Sequence, residues 1–137
     1  MSGKSFFDTS ILIYVISLGD ARAAKAEELL AEGGCISVQV LNEFVAVAHR
    51  KLKMPWHEVR DALSAIRTLC ETPTPLSVAT HEAALEIAEQ YGYHIYDALI
   101  LAAALDADCD TLYTEDLQDG QKVGAITIRN PFPTGQI

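Results

Sequence analysis

Positive charge is scarce in this chain: 10 Lys and Arg stand against 19 Asp and Glu in 137 residues, a formal net charge of −9. Such a surface repels polyanions at long range, which argues against gripping nucleic acid by bulk positive potential; any such role needs cations placed locally. Long apolar runs are also missing. The longest, Ala98 to Leu105, is far short of the roughly 20 residues that cross a bilayer, and no apolar segment of signal-peptide type precedes Asp8. A soluble, cytoplasmic protein with no membrane partner is expected. Cys35, Cys70 and Cys109 are odd in number and lack a C-x-x-C pair, and the histidines include no H-x-x-x-H pair. Neither a disulfide framework nor a zinc site is indicated, and a reducing compartment fits. With no G-x-S-x-G, Walker loop or G-x-G-x-x-G, acyl transfer, P-loop hydrolysis and dinucleotide binding lack their usual signals.

Half of the residues are apolar, and the length suits one domain able to bury its own core. Ser5 to Asp8 reads as a short buried strand, and Thr9-Ser10 offers hydroxyls to cap a helix over Ile11 to Ser17. ARAAKAEELLAE is a helix ended by Gly33-Gly34, and Cys35 to Val38 is a second strand. Apolar residues recur at helical spacing from Gln39 to Lys53. Another helix follows Pro55, with Trp56, Val59, Leu63, Ile66 and Leu69 or Cys70 on its inner face. Thr72 to Ser77, with its two prolines, admits only a short strand or an extended link. Thr80 to Tyr91 is an amphipathic helix closed by Gly92; the next, from Tyr96 or Asp97 to Ala107, is apolar on every side and belongs inside. Asp110 to Tyr113 and Ala125 to Ile128 are two last strands, joined by a polar loop from Thr114. This alternation predicts a single α/β domain over 1–137 with a mostly parallel sheet, 131–137 forming a loose tail.

Four carboxylates interrupt or follow apolar runs: Asp8 in SFFDTSILIY, Glu43 in SVQVLNEFVAVA, Asp97 in YHIYDALILAAAL and Asp116 in DTLYTEDLQDG. An ionised carboxylate in an apolar interior costs several kcal/mol or shifts its pKa, so repeated exceptions require a partner, most simply a shared cation. Ligands of a parallel sheet bind beyond the carboxyl ends of its strands, where Asp8 and Asp116 fall. Asp97 opens the buried helix, and Glu43 lies one turn into the helix after the second strand, so all four can reach that edge. An oxygen-only donor set suits a hard ion such as Mg2+. Without the ion, such crowding predicts a raised pKa for at least one acid, or a loose site.

Each acid also has an ordinary reading. Asp97 can be a first-turn anion favoured by the helix dipole, Asp8 can hold the turn after the strand, and Asp116 and Asp119 can be loop acids ahead of Gly120. Glu43 is the hardest to read this way, because its helical neighbours are mostly apolar. The remaining helix acids, such as Glu27, Glu58 and Glu86, belong to solvated faces. The run His49-Arg50-Lys51-Lys53 sits at a helix C-terminus, where cations offset the dipole; contact with a phosphate backbone is its other reading.

The ordered set FFDTSILIY, LNEF, YDALILAAAL and LYTEDLQDG, spread over nearly the whole chain, closely resembles the PIN-domain nucleases and, within them, the VapC-type toxins of bacterial or archaeal toxin-antitoxin pairs. The resemblance implies a PIN-like three-layer domain, with a short, mostly parallel central sheet flanked by helices. It makes Asp8, Glu43, Asp97 and Asp116 the catalytic and metal-binding quartet around one or two Mg2+ or Mn2+ ions. Asp8, Asp97 and Asp116 would coordinate, and Glu43 would bind through water or orient the attacking hydroxide. Thr114 and Ser10 are supporting hydroxyls, and Asp119 matches an additional acid of some members. The implied activity is endonucleolytic hydrolysis of single-stranded RNA to a 5′-phosphate and a 3′-hydroxyl, with Arg50, Lys51 or Lys122 bringing the strand in. The implied partners are RNA, a second copy in a homodimer, and a cognate antitoxin whose tail enters an apolar groove lined by exposed members of Ile11–Leu18 and Gln39–Lys53. Two alternatives stand beside it. One is a catalytically silent PIN-like module whose acidic pocket receives a basic peptide; the other is a haloacid-dehalogenase-type phosphatase using Asp8, which needs a second acid where Ser10 stands.

Overall fold

The computed structural model describes residues 3–132. In chain order these form β1 (Ser5–Phe7), α1 (Thr9–Val15), α2 (Arg22–Ala31), α3 (Val38–Val45), a π-helical continuation (Ala46–Lys51), α4 (Trp56–Leu69), α5 (Val78–Tyr91), α6 (Ile95–Asp106), β2 (Thr111–Tyr113), β3 (Lys122–Val123) and β4 (Ile126–Arg129). The sheet order is β1-β2-β4-β3, parallel except for the β3–β4 pair. The fold is α/β, as the alternation of elements predicts.

The expected second strand shrinks to single bridges. Cys35 pairs parallel with Phe6, and Ser37 pairs with Thr74 of the proline-rich link. Val38 is already helical because the Ser37 hydroxyl caps α3, accepting the Val40 N–H at 3.2 Å. The approach to β1 is close: a Cβ on Gly34 would lie 2.6 Å from the Phe7 ring and 2.9 Å from the Ser5 carbonyl oxygen. Only glycine lets this segment lie against the strand.

The caps correct two expected helix starts. Asp8, and not Thr9 or Ser10, caps α1, so the helix begins at Thr9. Ser77 caps α5 by accepting the Thr80 N–H at 3.1 Å, so that helix begins at Val78, not Thr80. α6 is buried continuously from Ala98 to Ala104 and packs against α5, α3 and β4. α4 buries Val59 and Ile66, but Trp56 and Leu69 remain 55% and 48% exposed, against the expected inner face. The Trp56 ring stacks outside on His49, and the chain leaves the helix in extended form at Cys70.

β3 departs from the sequence expectation: its two residues are held only by antiparallel pairing with β4. Phe132 is buried and packs edge-on against Tyr14, with centroids 4.9 Å apart, so residues 131 and 132 belong to the fold and not to a loose tail. The rest of the expected tail, 133–137, lies outside the described residues. All three cysteines are free thiols. Cys35 and Cys109 meet within hydrogen-bond reach, and burial pushes the Cys109 thiol up to about 12. Among the described residues no helix is long and apolar enough to cross a membrane.

Candidate metal centre

Asp8 ends β1 in a buried position, and both of its oxygens are engaged. Oδ1 accepts the Thr9 N–H at 2.7 Å, and Oδ2 accepts the Thr114 hydroxyl at 2.6 Å. Burial outweighs these two bonds and, with the charges of Asp116 and Glu43 added, lifts its pKa to about 7. Thr114, fully buried at the end of β2, also acts as an acceptor. Its Oγ1 takes the Asp116 N–H at 3.0 Å, which aims the loop after β2 toward Asp8.

Glu43 is oriented from both sides. Its Oε1 accepts the Thr9 hydroxyl at 3.1 Å, and its Oε2 accepts the Gln39 amide at 2.9 Å. Asp97 lies in the first turn of α6, but His94 is the cap, its side chain accepting the Tyr96 N–H at 3.1 Å. His94, and not Asp97, supplies the cap, while Asp97 keeps the first-turn position that the dipole reading gave it. Against the expectation of an apolar interior for all four, Glu43 and Asp97 are half-buried and Asp116 is exposed. Partial desolvation, then the charges of Glu43 and Asp116, raise the Asp97 pKa, opposed by His94; partial desolvation and Glu115 raise that of Asp116. The pairwise influences link all four acids: Asp8 with Glu43 and Asp116, and Asp97 with the same two.

Among the described residues no Lys or Arg forms an ion pair with any of the four. Nor does any group of three His, Cys, Asp or Glu side chains stand close enough to form a ready-made metal cage. Mg2+ keeps several waters and needs few direct carboxylates, so acids that form no ready-made cage can still hold it. The donor set, all oxygen and uncompensated, fits a hard divalent cation.

The remaining expected residues divide. Ser10 supports the loop, its hydroxyl accepting the Glu115 N–H at 3.2 Å. Asp119 is exposed and contributes to none of the shifts above; its Oδ1 accepts the Asn130 N–H at 2.8 Å, tying the loop to the end of β4. Sequence reasoning missed Thr9 and Gln39 as orienting groups, although Gln39 precedes Glu43 by the four residues that make helical neighbours. It also missed a brace: Arg22 reaches Glu115 at 3.1 Å and lies 4.4 Å above the Tyr14 ring, whose hydroxyl donates to Glu115. No local sequence pattern joins those three.

The chain is thus an α/β domain whose mostly parallel sheet carries acids at and near its carboxyl edge. The chain belongs to the PIN-domain family, matching it over residues 5–122. Its solved structural neighbours include a toxin-antitoxin complex from Klebsiella pneumoniae, 25% identical with a TM-score of 0.71 over 94% of this chain and 98% of that one. VapC20 of Mycobacterium tuberculosis, a sarcin-ricin-loop-cleaving toxin, shares the fold at 24% identity and a TM-score of 0.66, over 82% of this chain and 92% of its own. So does VapBC2 of Rickettsia felis bound to a DNA fragment from its promoter, at 23% and 0.65, over 92% and 97%. No curated protein matches the sequence.

Proposed function

We propose that this chain is a Mg2+- or Mn2+-dependent endoribonuclease, the toxin of a type II toxin-antitoxin pair, cutting RNA at the acidic edge of the sheet. The observation that carries the reading is a buried Asp8 and a half-buried Asp97 that each feel the charges of Glu43 and Asp116, with no Lys or Arg paired to any of the four among the described residues. Family membership and the toxins that share the fold support it.

The bound ion would supply polarisation of a phosphoryl oxygen and a more acidic water. Asp8, Asp97 and Asp116 would hold it, with Asp8 the fixed member because Thr9 and Thr114 leave its carboxylate no freedom. Glu43, set by Thr9 and Gln39, accepts a hydrogen bond from the attacking water and orients it. Thr114 keeps Asp116 in register with Asp8. The raised acids release protons when an ion binds, so its affinity rises with pH up to about 7, where Asp8 titrates. A cognate antitoxin and a second copy of the chain are the proposed partners. Leu18, 99% exposed at the end of α1, is an accessible apolar position for the antitoxin, whereas Ile11 and Leu12 are core. The phosphatase alternative gains nothing, since the hydroxyl of Ser10 cannot transfer protons as a carboxyl would.

The test incubates the full-length protein with labelled structured RNAs and Mg2+ or Mn2+, beside Asp8→Asn and Asp97→Asn. Wild type should cut, leaving 5′-phosphates, and EDTA or either substitution should reduce cutting to background. Equal cutting by all three proteins would expose a contaminant, and an inert wild type would leave only the binding module.

A further inference from the structure

Half of the chain's Lys and Arg lie in one stretch: Arg50, Lys51, Lys53, Arg60 and Arg67, accompanied only by the acids Glu58 and Asp61. None of these five cations is in an ion pair among the described residues. The stretch runs from the π-helical continuation of α3 through α4, and its charges are sorted. Trp56, Arg60, Leu63 and Arg67 recur every three or four residues and share one face of α4; Glu58 and Asp61 fall away from it. That face borders an open cavity of about 680 Å3 against α3, with Leu41 and Val45 behind it, Arg60 and Arg67 along it, and no acidic residue in its lining.

Outside the cavity, at the tip where the α3 continuation gives way to α4, the backbone takes two uncommon forms. The turn Ala46–Lys51 is π-helical, and Lys53 is left-handed at φ +60°. Both forms concentrate at functional sites. They hold His49 against Trp56, with ring centroids 3.7 Å apart and planes within 21°, while the His49 Nδ1 contacts the Met54 carbonyl oxygen at 3.0 Å. The indole, pre-positioned and half exposed, stands beside unpaired cations. Single-stranded nucleic acid uses this combination, its phosphates on cations and a base on an aromatic face. An acidic peptide would satisfy the arginines and leave the stacked indole without a purpose. Arg60 and Arg67 are about 10 Å apart along the helix axis, so each meets a different phosphate. The tip continues the helix that carries Glu43, roughly 12 Å along the axis from Glu43 to Lys51, and the cavity lies on the opposite face of that helix from Glu43.

We propose that this arm is a docking track for single-stranded RNA, with one base stacked on Trp56 and the backbone phosphates on Arg60 and Arg67. That the strand it holds is also a substrate rests on the nuclease reading; the binding itself does not.

Trp56 is the sole tryptophan, so intrinsic fluorescence reports the tip alone. Full-length Asp97→Asn, with the arm intact and cutting removed, is titrated in Mg2+ with a mixed-sequence single-stranded RNA oligonucleotide. Binding should quench the fluorescence. Measured by anisotropy of labelled RNA, Arg60→Gln with Arg67→Gln should reduce the slope of log K against log salt by about 1.4, two phosphate contacts on a single strand. Trp56→Ala should weaken binding roughly five- to hundredfold, and Trp56→Phe should restore most of it. Unchanged slope and affinity in these variants, an RNA complex that leaves Trp56 fluorescence untouched, or no RNA binding at all would each overturn the track. So would variants that shift only the sedimentation of the protein or its capture of an acidic protein, which would make the face a protein interface. RNA binding by a wild-type protein that cuts nothing would remove the nuclease reading and leave the track standing.

Discussion

The two ends of one continuous helix carry opposite charge. In its first half stands Glu43, grouped by its charge with Asp8, Asp97 and Asp116, whereas in its last turn and beyond stand five cations; among the described residues none of the four acids is paired with Lys or Arg and none of the five cations is in an ion pair. The net charge of −9 describes neither region. The acidic edge is held by hydrogen bonds that fix Asp8 and Glu43 against their own repulsion, an arrangement that costs stability when the acids are ionised without a counter-charge. The arm is held by a ring stack and an unusual backbone, and its exposed cations lose little by being unpaired in water. Electrostatic strain should therefore sit at the edge and not along the arm.

The largest expected effect is on the pH dependence of the metal-free protein. Asp8 has a folded pKa of about 7 against an ordinary value of 3.8. Between those values the folded state holds a proton that the unfolded state has lost, so stability falls as pH rises from 3.8 to about 7 and levels off above. The shift corresponds to at most about 4 kcal/mol, and the raised acids Asp97 and Asp116 act in the same direction. Urea unfolding in EDTA at several pH values should show this decline, and Asp8→Asn should flatten it and be the more stable protein at pH 8. Mg2+ at pH 8 should then stabilise wild type more than the variant. A wild type that gains stability across this window would break the contrast, since the edge would hold no uncompensated charge.

Thr114→Val tests the same strain from the other side. It removes the donor to Asp8 and the acceptor of the Asp116 N–H, and should cost about 1–3 kcal/mol in urea unfolding, more at pH 8 where Asp8 is ionised than at pH 5. The equivalent measurement on Arg60→Gln should show under about 0.5 kcal/mol, as for an exposed surface change. Equal costs at the two regions would erase the distinction between them.

Much of this is legible in the chain because burial leaves a pattern. The β1 strand, the all-apolar α6 and the four interrupting acids each follow from where apolar residues stop. Features set by hydrogen-bond register are not legible. The π-helical turn reads as ordinary helix from Gln39 to Lys53, and β3 exists only through its pairing with β4. Periodicity places Trp56 inside, and it cannot foresee that His49 offers the indole a surface outside. At the site, the spacing of Gln39 and Glu43 is legible as a helical pair, whereas Arg22 meets Glu115 across the fold, a contact that spacing does not reveal.

Asp119 gives the smallest expected effect and the finest division. It stands three residues after Asp116 in the same loop, yet its carboxylate secures the Asn130 N–H at the end of β4 and adds nothing to the charge felt by the quartet. Asp119→Ala should cost about 0.5–1 kcal/mol, the worth of one exposed hydrogen bond, and Asp119→Asn, which keeps an acceptor oxygen, less still. Neither should alter Mg2+-dependent cleavage or the salt dependence of RNA binding. Loss of cleavage by Asp119→Ala with folding intact would extend the acidic edge by a fifth carboxylate and move the boundary between site and scaffold into the β2–β3 loop. An intact cleavage rate would leave that boundary between Asp116 and Asp119, where Thr114 ties the loop to the end of β2 and Asn130 ties it to the end of the neighbouring β4.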